Sequence, residues 1–287
     1  MNEILKGVLF NGKARVTIIN ITDLVNESKK IHNMSSLATV TLGRTFVCGS
    51  YILSNLKNKT DSFTIIIKGD GPIGNICVSG NGENNIRGYV SNINLELPPK
   101  ENGHFDVGGA VGHNGSFIVI KDLGLKESYH GTTQLVDGEI GLDFSNYLLK
   151  SEGIKNGVSV GVLMQKGVCL AAGGVIVEAM PGISEEELFI LEDIMLNLPG
   201  ASKLILEMGV DKIFDFYFSH LDAVNLGKTT VNLKCSCSKE KIYKTIKGLG
   251  KETFDDIIEK EGKIEVFCDF CSTNYIITKE DEKKIWP

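Results

Sequence analysis

The chain lacks any apolar run of membrane-spanning length. Its hydrophobic stretches are broken by Gly, Arg or Glu, and no membrane association is expected. It also lacks an excess of basic charge. Lys and Arg total 30 against 36 Asp and Glu, a net charge of −6, which removes the electrostatic footprint of a nucleic-acid binder. Histidine is sparse: His32, His104, His113, His130 and His220 are scattered without i,i+4 pairing, so each reads as a surface or core residue and not as a ligand. G-x-S-x-G, P-loop and clustered carboxylate patterns are absent, so no active site is expected and the chain reads as a non-enzyme. One glycine-rich motif, Gly69-Asp70-Gly71-Pro72-Ile73-Gly74, fits G-x-G-x-x-G after a strand. Pro72 lies inside it, and Asn75 to Ser79 reads as a second strand where a dinucleotide site needs a helix, so the motif reads as a hairpin turn and no nucleotide cofactor is expected. Residues Met1 to Asn20 carry Glu3, Lys6, Lys13 and Arg15 through their apolar pattern, unlike a signal peptide, and a cytoplasmic location follows as the expectation.

Cysteine is what the chain does have, and it is concentrated. Four of seven cysteines fall in the last 53 residues: Cys235 and Cys237 in a C-x-C, then Cys268 and Cys271 in a C-x-x-C about thirty residues on. Four thiolates in two close pairs match a closed tetrahedral Zn²⁺ site. The same sulfurs could instead close two local disulfides, so the cluster reads either as a structural zinc knob or as a switch between metal and disulfide. In a reducing cytoplasm the resting form is the metal-bound one. Cysteines two apart in an extended strand point to one side and can share a metal. A disulfide between them would close a very small ring, strained and easily reduced. Cys48, Cys77 and Cys169 each sit among apolar neighbours and read as small buried hydrophobes.

The first 180 residues alternate like an α+β protein with antiparallel sheets. Strands are predicted over EILKGVLF and ARVTIIN, joined by an Asn11-Gly12 turn, then over SFTIIIK, NICVSG, IRGYVS, SFIVIKDLG, a stretch near Gly131 to Val136, SVGVLMQK and VCLAAGGVIVEAM. Helices are predicted from Thr22 or Asp23 to about His32, over MSSLATVTLGRTFVCGSYILSNL and over GEIGLDFSNYLLKSEG. After Pro181-Gly182, Ser184 and Glu187 form a capping box ahead of an amphipathic helix whose Leu188, Leu191, Ile194, Met195 and Leu198 share one face, widened by Phe189, Ile190 and Leu196. So apolar a stretch must dock. SKLILEMG follows as a second short helix. Beyond Thr230 the character changes: helices EKIYKTIKGLG and KETFDDIIEKEG connect the cysteine pairs, and Ile264 to Cys268 with Asn274 to Thr278 reads as a hairpin. Residues 238 to 267 hold seven basic and seven acidic side chains, a balanced, solvated segment. The expected divisions are a core over 1–180, a metastable helical linker over 181–229 and a zinc-binding domain over 230–287, the last too small to be stable on its own apolar core.

The blocks KGDGPIGNICVSG, IRGYVSN, VIKDLGLKESYHG, LVDGEIGLDFSNYLLKSE, VGVLMQKG, AAGGVIVEAMPG, CSCSKEKIYKTIKGLGKE and GKIEVFCDFCSTNY together resemble the heat-shock protein 33 family of redox-regulated holdase chaperones, across essentially the full length. Ser128 and Asp137 depart from the family's more usual Pro and Ser. The resemblance implies an α+β core, a helical linker and a zinc domain with one Zn²⁺ on Cys235, Cys237, Cys268 and Cys271. It implies a reduced form that is zinc-bound and inactive. Oxidation to Cys235–Cys237 and Cys268–Cys271 disulfides would release the metal, unfold the zinc domain and expose apolar surface to unfolding client proteins. It also implies ATP-independence and an active homodimer. Two rival classes carry different expectations. A zinc-ribbon nucleic-acid binder would need a basic, aromatic face near the metal. A thiol oxidoreductase would need Cys268 or Cys271 at a helix N-terminus in a thioredoxin-like setting.

Overall fold

The computed structural model describes residues 2–286, and the chain divides into two compact units, one ending at Leu233 and one beginning at Lys234. The first unit opens with a hairpin, β1 (Glu3–Leu9) and β2 (Ala14–Asn20), whose turn places Asn11 at φ 54, left-handed backbone that Asn tolerates. Helix α1 (Thr22–His32) is followed by α2 (Ser36–Ser54), which starts where the Ser35 hydroxyl accepts the Ala38 N–H at 3.1 Å. Next come β3 (Ser62–Gly69), β4 (Asn75–Asn81), β5 (Asn85–Val90), a short α3 (Val107–Val111), β6 (Gly115–Asp122) and β7 (Tyr129–Gln134). The glycine-rich motif is the β3–β4 hairpin connection, as expected. Helix α4 (Gly141–Ser151), β8 (Asn156–Gln165) and β9 (Val168–Ala179) precede three helices, α5 (Glu185–Asn197), α6 (Ala201–Glu207) and α7 (Gly209–Tyr217). Strands β10 (Val224–Thr230) and β11 (Asn232–Leu233) close the unit.

The architecture is α+β, in agreement with the sequence reading. Among the described residues one sheet has the order β10-β1-β2-β9-β8 and is antiparallel throughout. A second has the order β11-β5-β4-β3-β6-β7, antiparallel except for the two-residue parallel pairing of β11 with β5. Helix α2 touches both sheets and is buried along most of its length, including the Leu37, Val40, Phe46, Val47, Tyr51 and Leu53 set expected from its sequence. Its glycines allow that approach: a Cβ on Gly49 would lie 2.9 Å from Val78 of β4. On the facing sheet, a Cβ on Gly174 of β9 would lie 2.6 Å from Val47.

The other face of the five-stranded sheet carries a second core. Leu5, Val16, Ile18 and Val175 pack there with Leu204, Ile213, Phe214 and Phe218 from the helices after β9. Helix α5 begins with the expected capping box: Ser184 Oγ accepts the Glu187 N–H at 3.2 Å, and Glu187 accepts the Ser184 N–H at 2.8 Å. Of its apolar face, Leu191 is 2% exposed and joins this core; Ile194, Met195 and Leu198 pack against it half-buried. Phe189 and Leu196 remain 68% and 85% exposed. An apolar groove of about 600 Å³ runs between α5 and the sheet, lined among others by Leu149, Val177, Leu188, Met195 and Leu196.

The second unit holds α8 (Lys239–Leu249), α9 (Lys251–Glu261), the hairpin β12 (Ile264–Phe267) and β13 (Asn274–Ile277), and a final turn α10 (Glu282–Ile285). Its core consists of Ile246, Phe254, Ile277 and Ile285, edged by Ile242, Tyr243, Ile258, Ile264 and Trp286. That is a small apolar payload for an independent unit.

Three details correct the sequence reading. The fourth helix was expected from Gly138 and starts at Gly141, because Ile140 sits at φ +73 and its N–H bonds the buried Asp143 carboxylate at 2.9 Å. Cys235 and Cys237 were expected on an extended strand and lie on the irregular segment between β11 and α8. Helices α3 and α7 and strand β10 were not anticipated. All seven positions of β10 are exposed, so its sequence shows no burial pattern to read.

Candidate metal centre

Each cysteine pair is presented differently. Cys268 and Cys271 sit in the turn of the β12–β13 hairpin. The Cys268 N–H donates to the Thr273 carbonyl at 3.0 Å, and the N–H groups of Cys271 and Ser272 both donate to the Cys268 carbonyl, at 3.3 and 2.8 Å. Ser272 takes φ +56 to close this knuckle. The Phe270 and Thr273 backbone N–H groups face the sulfurs of Cys268 and Cys271. Cys237 directly precedes Ser238, whose hydroxyl caps α8 by accepting the Lys241 N–H at 3.4 Å, while Lys241 Nζ reaches back to the Ser236 carbonyl at 2.6 Å.

The four sulfurs converge. All lie within 4.8 Å of one another, and among the described residues this is the one group of His, Cys, Asp or Glu side chains placed to share a metal ion. Cys235 Sγ lies 3.8 Å from Cys268 Sγ, and Cys237 Sγ lies 3.3 Å from Cys271 Sγ. The closest approaches thus cross between the two motifs. In a regular tetrahedron with Zn–S bonds of about 2.3 Å, neighbouring sulfurs lie about 3.8 Å apart, so the donor set fits such an ion in kind and spacing. All seven cysteines are free thiols, and Cys48, Cys77 and Cys169 are buried as expected.

The electrostatics of the metal-free cluster explain why it asks for a cation. Burial pushes the Cys268 thiol up to about 12, with Cys271 and Cys235 adding to the rise. Burial also raises Cys237, although the Tyr275 hydroxyl pulls the other way. At Cys271 burial is outweighed by hydrogen bonds from Thr273, and the thiol comes down to about 7. Four thiolates this close repel one another, and a divalent cation removes that penalty.

Two neighbours of the cluster carry no cysteine signature and were missed in the sequence. Tyr275 Oη donates to Cys237 Sγ at 3.0 Å, and Thr273 Oγ1 lies 3.2 Å from Cys271 Sγ. Farther off, Asp281 is 4% exposed and gathers the second unit's polar contacts. Tyr243 Oη donates to it at 2.5 Å, the Thr278 N–H at 3.1 Å and Lys239 Nζ at 3.2 Å. Burial opposes its charge, but these donors prevail and hold the carboxyl down at about 2. Because the folded value lies below the ordinary carboxylate value of about 3.9, the contribution is fully present above that value and is lost as pH falls through about 2. Asp281→Asn should therefore unfold at lower urea than the wild type at pH 7, and the two should converge between about pH 4 and pH 2. Fluorescence of the sole tryptophan, Trp286, packed 5.2 Å from the Phe254 ring, reads the unit directly.

A family model described as Hsp33 protein matches residues 2–278. The chain belongs to the Hsp33 family. Relatives named 33 kDa chaperonin include one from Bacillus subtilis (strain 168), 37% identical over 283 residues that cover 98% of this chain and 97% of that protein. Another, from Clostridioides difficile (strain 630), is 36% identical over 279 residues, covering 97% and 96%. The crystal structure of the 33 kDa chaperonin (heat shock protein 33 homolog) from Thermotoga maritima superposes with a TM-score of 0.89 at 34% identity, covering 99% of this chain and 97% of that one. The chain is thus a chaperone of the Hsp33 type, with an Hsp33 fold and a four-cysteine cluster able to hold a metal ion. Among the described residues no helix is long and apolar enough to cross a membrane.

Proposed function

We propose that this Hsp33-type chaperone is a redox-regulated, ATP-independent holdase of the cytoplasm, acting on unfolding client proteins without enzymatic turnover. The observation that carries the reading is the convergence of four sulfurs within 4.8 Å in a unit whose own core is four buried apolar side chains. Cys235, Cys237, Cys268 and Cys271 would hold one Zn²⁺ per chain in the reduced state. When bound, the ion supplies folding energy, ~10–16 kcal/mol of apparent binding energy in comparable small sites. Oxidation would join Cys235 to Cys237 and Cys268 to Cys271. Each pair, held as thiolates, would give up two electrons to one peroxide, which takes two protons from solvent and leaves as two waters. Bonds within the pairs end the contacts between the motifs, so the cysteine limbs separate and the C-terminal domain, 230–287, loses its order.

Residues 181–229 then act as the metastable linker. Helix α5 already exposes Phe189 and Leu196, and release of its Leu191 face would add apolar surface for clients. A homodimer is proposed for the active form. A thiol oxidoreductase is disfavoured, since Cys268 and Cys271 occupy a hairpin turn and not a helix N-terminus.

The test is aggregation of a thermally unfolding protein, followed with reduced and with peroxide-treated chain, with released zinc read by a chromogenic chelator and disulfides mapped by mass spectrometry. Suppression only after oxidation, with about one zinc released per chain and disulfides within the pairs, is the expected result. Equal suppression in both states, or a Cys237–Cys271 bond that locks the two limbs together, would sink the switch.

A further inference from the structure

The two limbs of the sulfur cluster are not equally self-supporting. The hairpin limb fixes Cys268 and Cys271 through its own backbone hydrogen bonds. The C-x-C limb lies in neither strand nor helix: the Ser238 cap and the Lys241–Ser236 contact tie it to α8, and a further tie is needed to hold Cys237 against the hairpin. Tyr275 provides one. It stands on β13, paired with Val266 of β12, is half-buried, and sends its hydroxyl across to Cys237 Sγ at 3.0 Å. Resting on the reading that the four sulfurs hold one Zn²⁺, we propose that Tyr275 is a positioning residue of the site, whose hydroxyl ties the C-x-C limb to the hairpin and sets how tightly the metal is kept.

The chemistry is that of an outer-sphere donor. An O–H···S bond orients the sulfur lone pairs and draws charge from the ligand, and partners of this kind are typically worth about 10–100-fold in metal affinity. Thr273 is the natural comparison. Its hydroxyl stands beside Cys271 at 3.2 Å, but the residue is exposed, so water competes for the same hydroxyl, and Cys271 is already held by backbone. Its loss should matter less.

Tyr275→Phe removes the hydroxyl and keeps the ring. In the full-length reduced protein, zinc affinity by chelator competition should fall by at least about 10-fold, and Thr273→Val should fall by less. Loss of packing alone would not alter the electronic character of a sulfur ligand. The Co²⁺-substituted variant should therefore show its sulfur-to-metal charge-transfer bands moved to lower energy, because a sulfur without its donor gives up charge more readily. If Tyr275→Phe does not fold, the cadmium-substituted wild type decides by NMR: a slowly exchanging Tyr275 hydroxyl proton coupled to the metal supports the role, and a freely exchanging one ends it. Unchanged affinity and an unchanged Co²⁺ spectrum in Tyr275→Phe, with wild type holding one zinc, would overturn the proposal alone. A wild type that holds no stoichiometric zinc would overturn the zinc reading and this proposal together.

Discussion

Replacing Cys268 and Cys271 together by serine should leave the second unit partly unfolded even in reducing buffer. Its four fully buried apolar side chains contribute about 1.5–3 kcal/mol each, before the cost of ordering the chain is set against them. A metal in a small cysteine site contributes ~10–16 kcal/mol of apparent binding energy, which makes it the largest single term for a unit of this size. With two sulfurs gone, the remaining pair cannot complete a closed site. Limited proteolysis with mass spectrometry should find new cleavages between Lys234 and Trp286 in the reduced double variant, while the sheets of the first unit stay resistant, and Trp286 fluorescence should report loss of its contact with Phe254. Equal resistance of reduced wild type and variant would mean that metal does not hold this unit, and the redox switch would have to be abandoned.

A carboxylate at position 191 should have the second large effect. Leu191 is 2% exposed and is the α5 residue set deepest in the core on the outer sheet face. Leu191→Asp would place an unpaired charge among Val175, Val177 and their neighbours, at a cost of several kcal/mol if it stayed there. Undocking a thirteen-residue helix is the cheaper response. Amide exchange over Glu185–Asn197 should rise by about a hundredfold while the β1, β2 and β9 amides keep their protection. The zinc-loaded, reduced variant should suppress client aggregation without peroxide. Leu196→Asp, at a position already 85% exposed, should leave amide exchange over α5 unchanged and the reduced form inactive. An undocked α5 that still fails to hold clients would remove α5 from the mechanism.

Much of this was legible in the chain because the signals are local. The Ser184–Glu187 capping box announced the start of α5, and the C-x-x-C between two alternating segments announced the β12–β13 hairpin. The four clustered cysteines could be picked out because their residue type is rare and their spacing short. What escaped depends on partners far away in sequence. Strand β10 is recognisable only by its pairing with β1, and α7 only by the Phe214 ring that fills the space over Gly7. Tyr275 and Asp281 look like ordinary surface residues until the hairpin carries one to Cys237 and the fold of the last residues brings the other to Tyr243 and Lys239. Ile140 at φ +73 defies local expectation altogether. A β-branched residue holds that conformation only because Asp143 grips the turn around it, accepting the N–H groups of Val136, Asp137 and Ile140.

The position of β1 in its sheet bears on how the molecule is made. Glu3 pairs with Asn20 on one side and with Thr230 on the other, and β2 meets β9 with Ala14 opposite Ala179. A chain growing from its N-terminus therefore makes its first hairpin at once and waits some 160 residues for the central neighbour of β2. One edge of β1 stays bare until residue 230 has left the ribosome, by which time most of the chain has been synthesised. Contacts closed over such distances in sequence form slowly, and a bare strand edge invites pairing with the wrong chain. During its own synthesis this chaperone passes through a period in which it resembles the clients it protects.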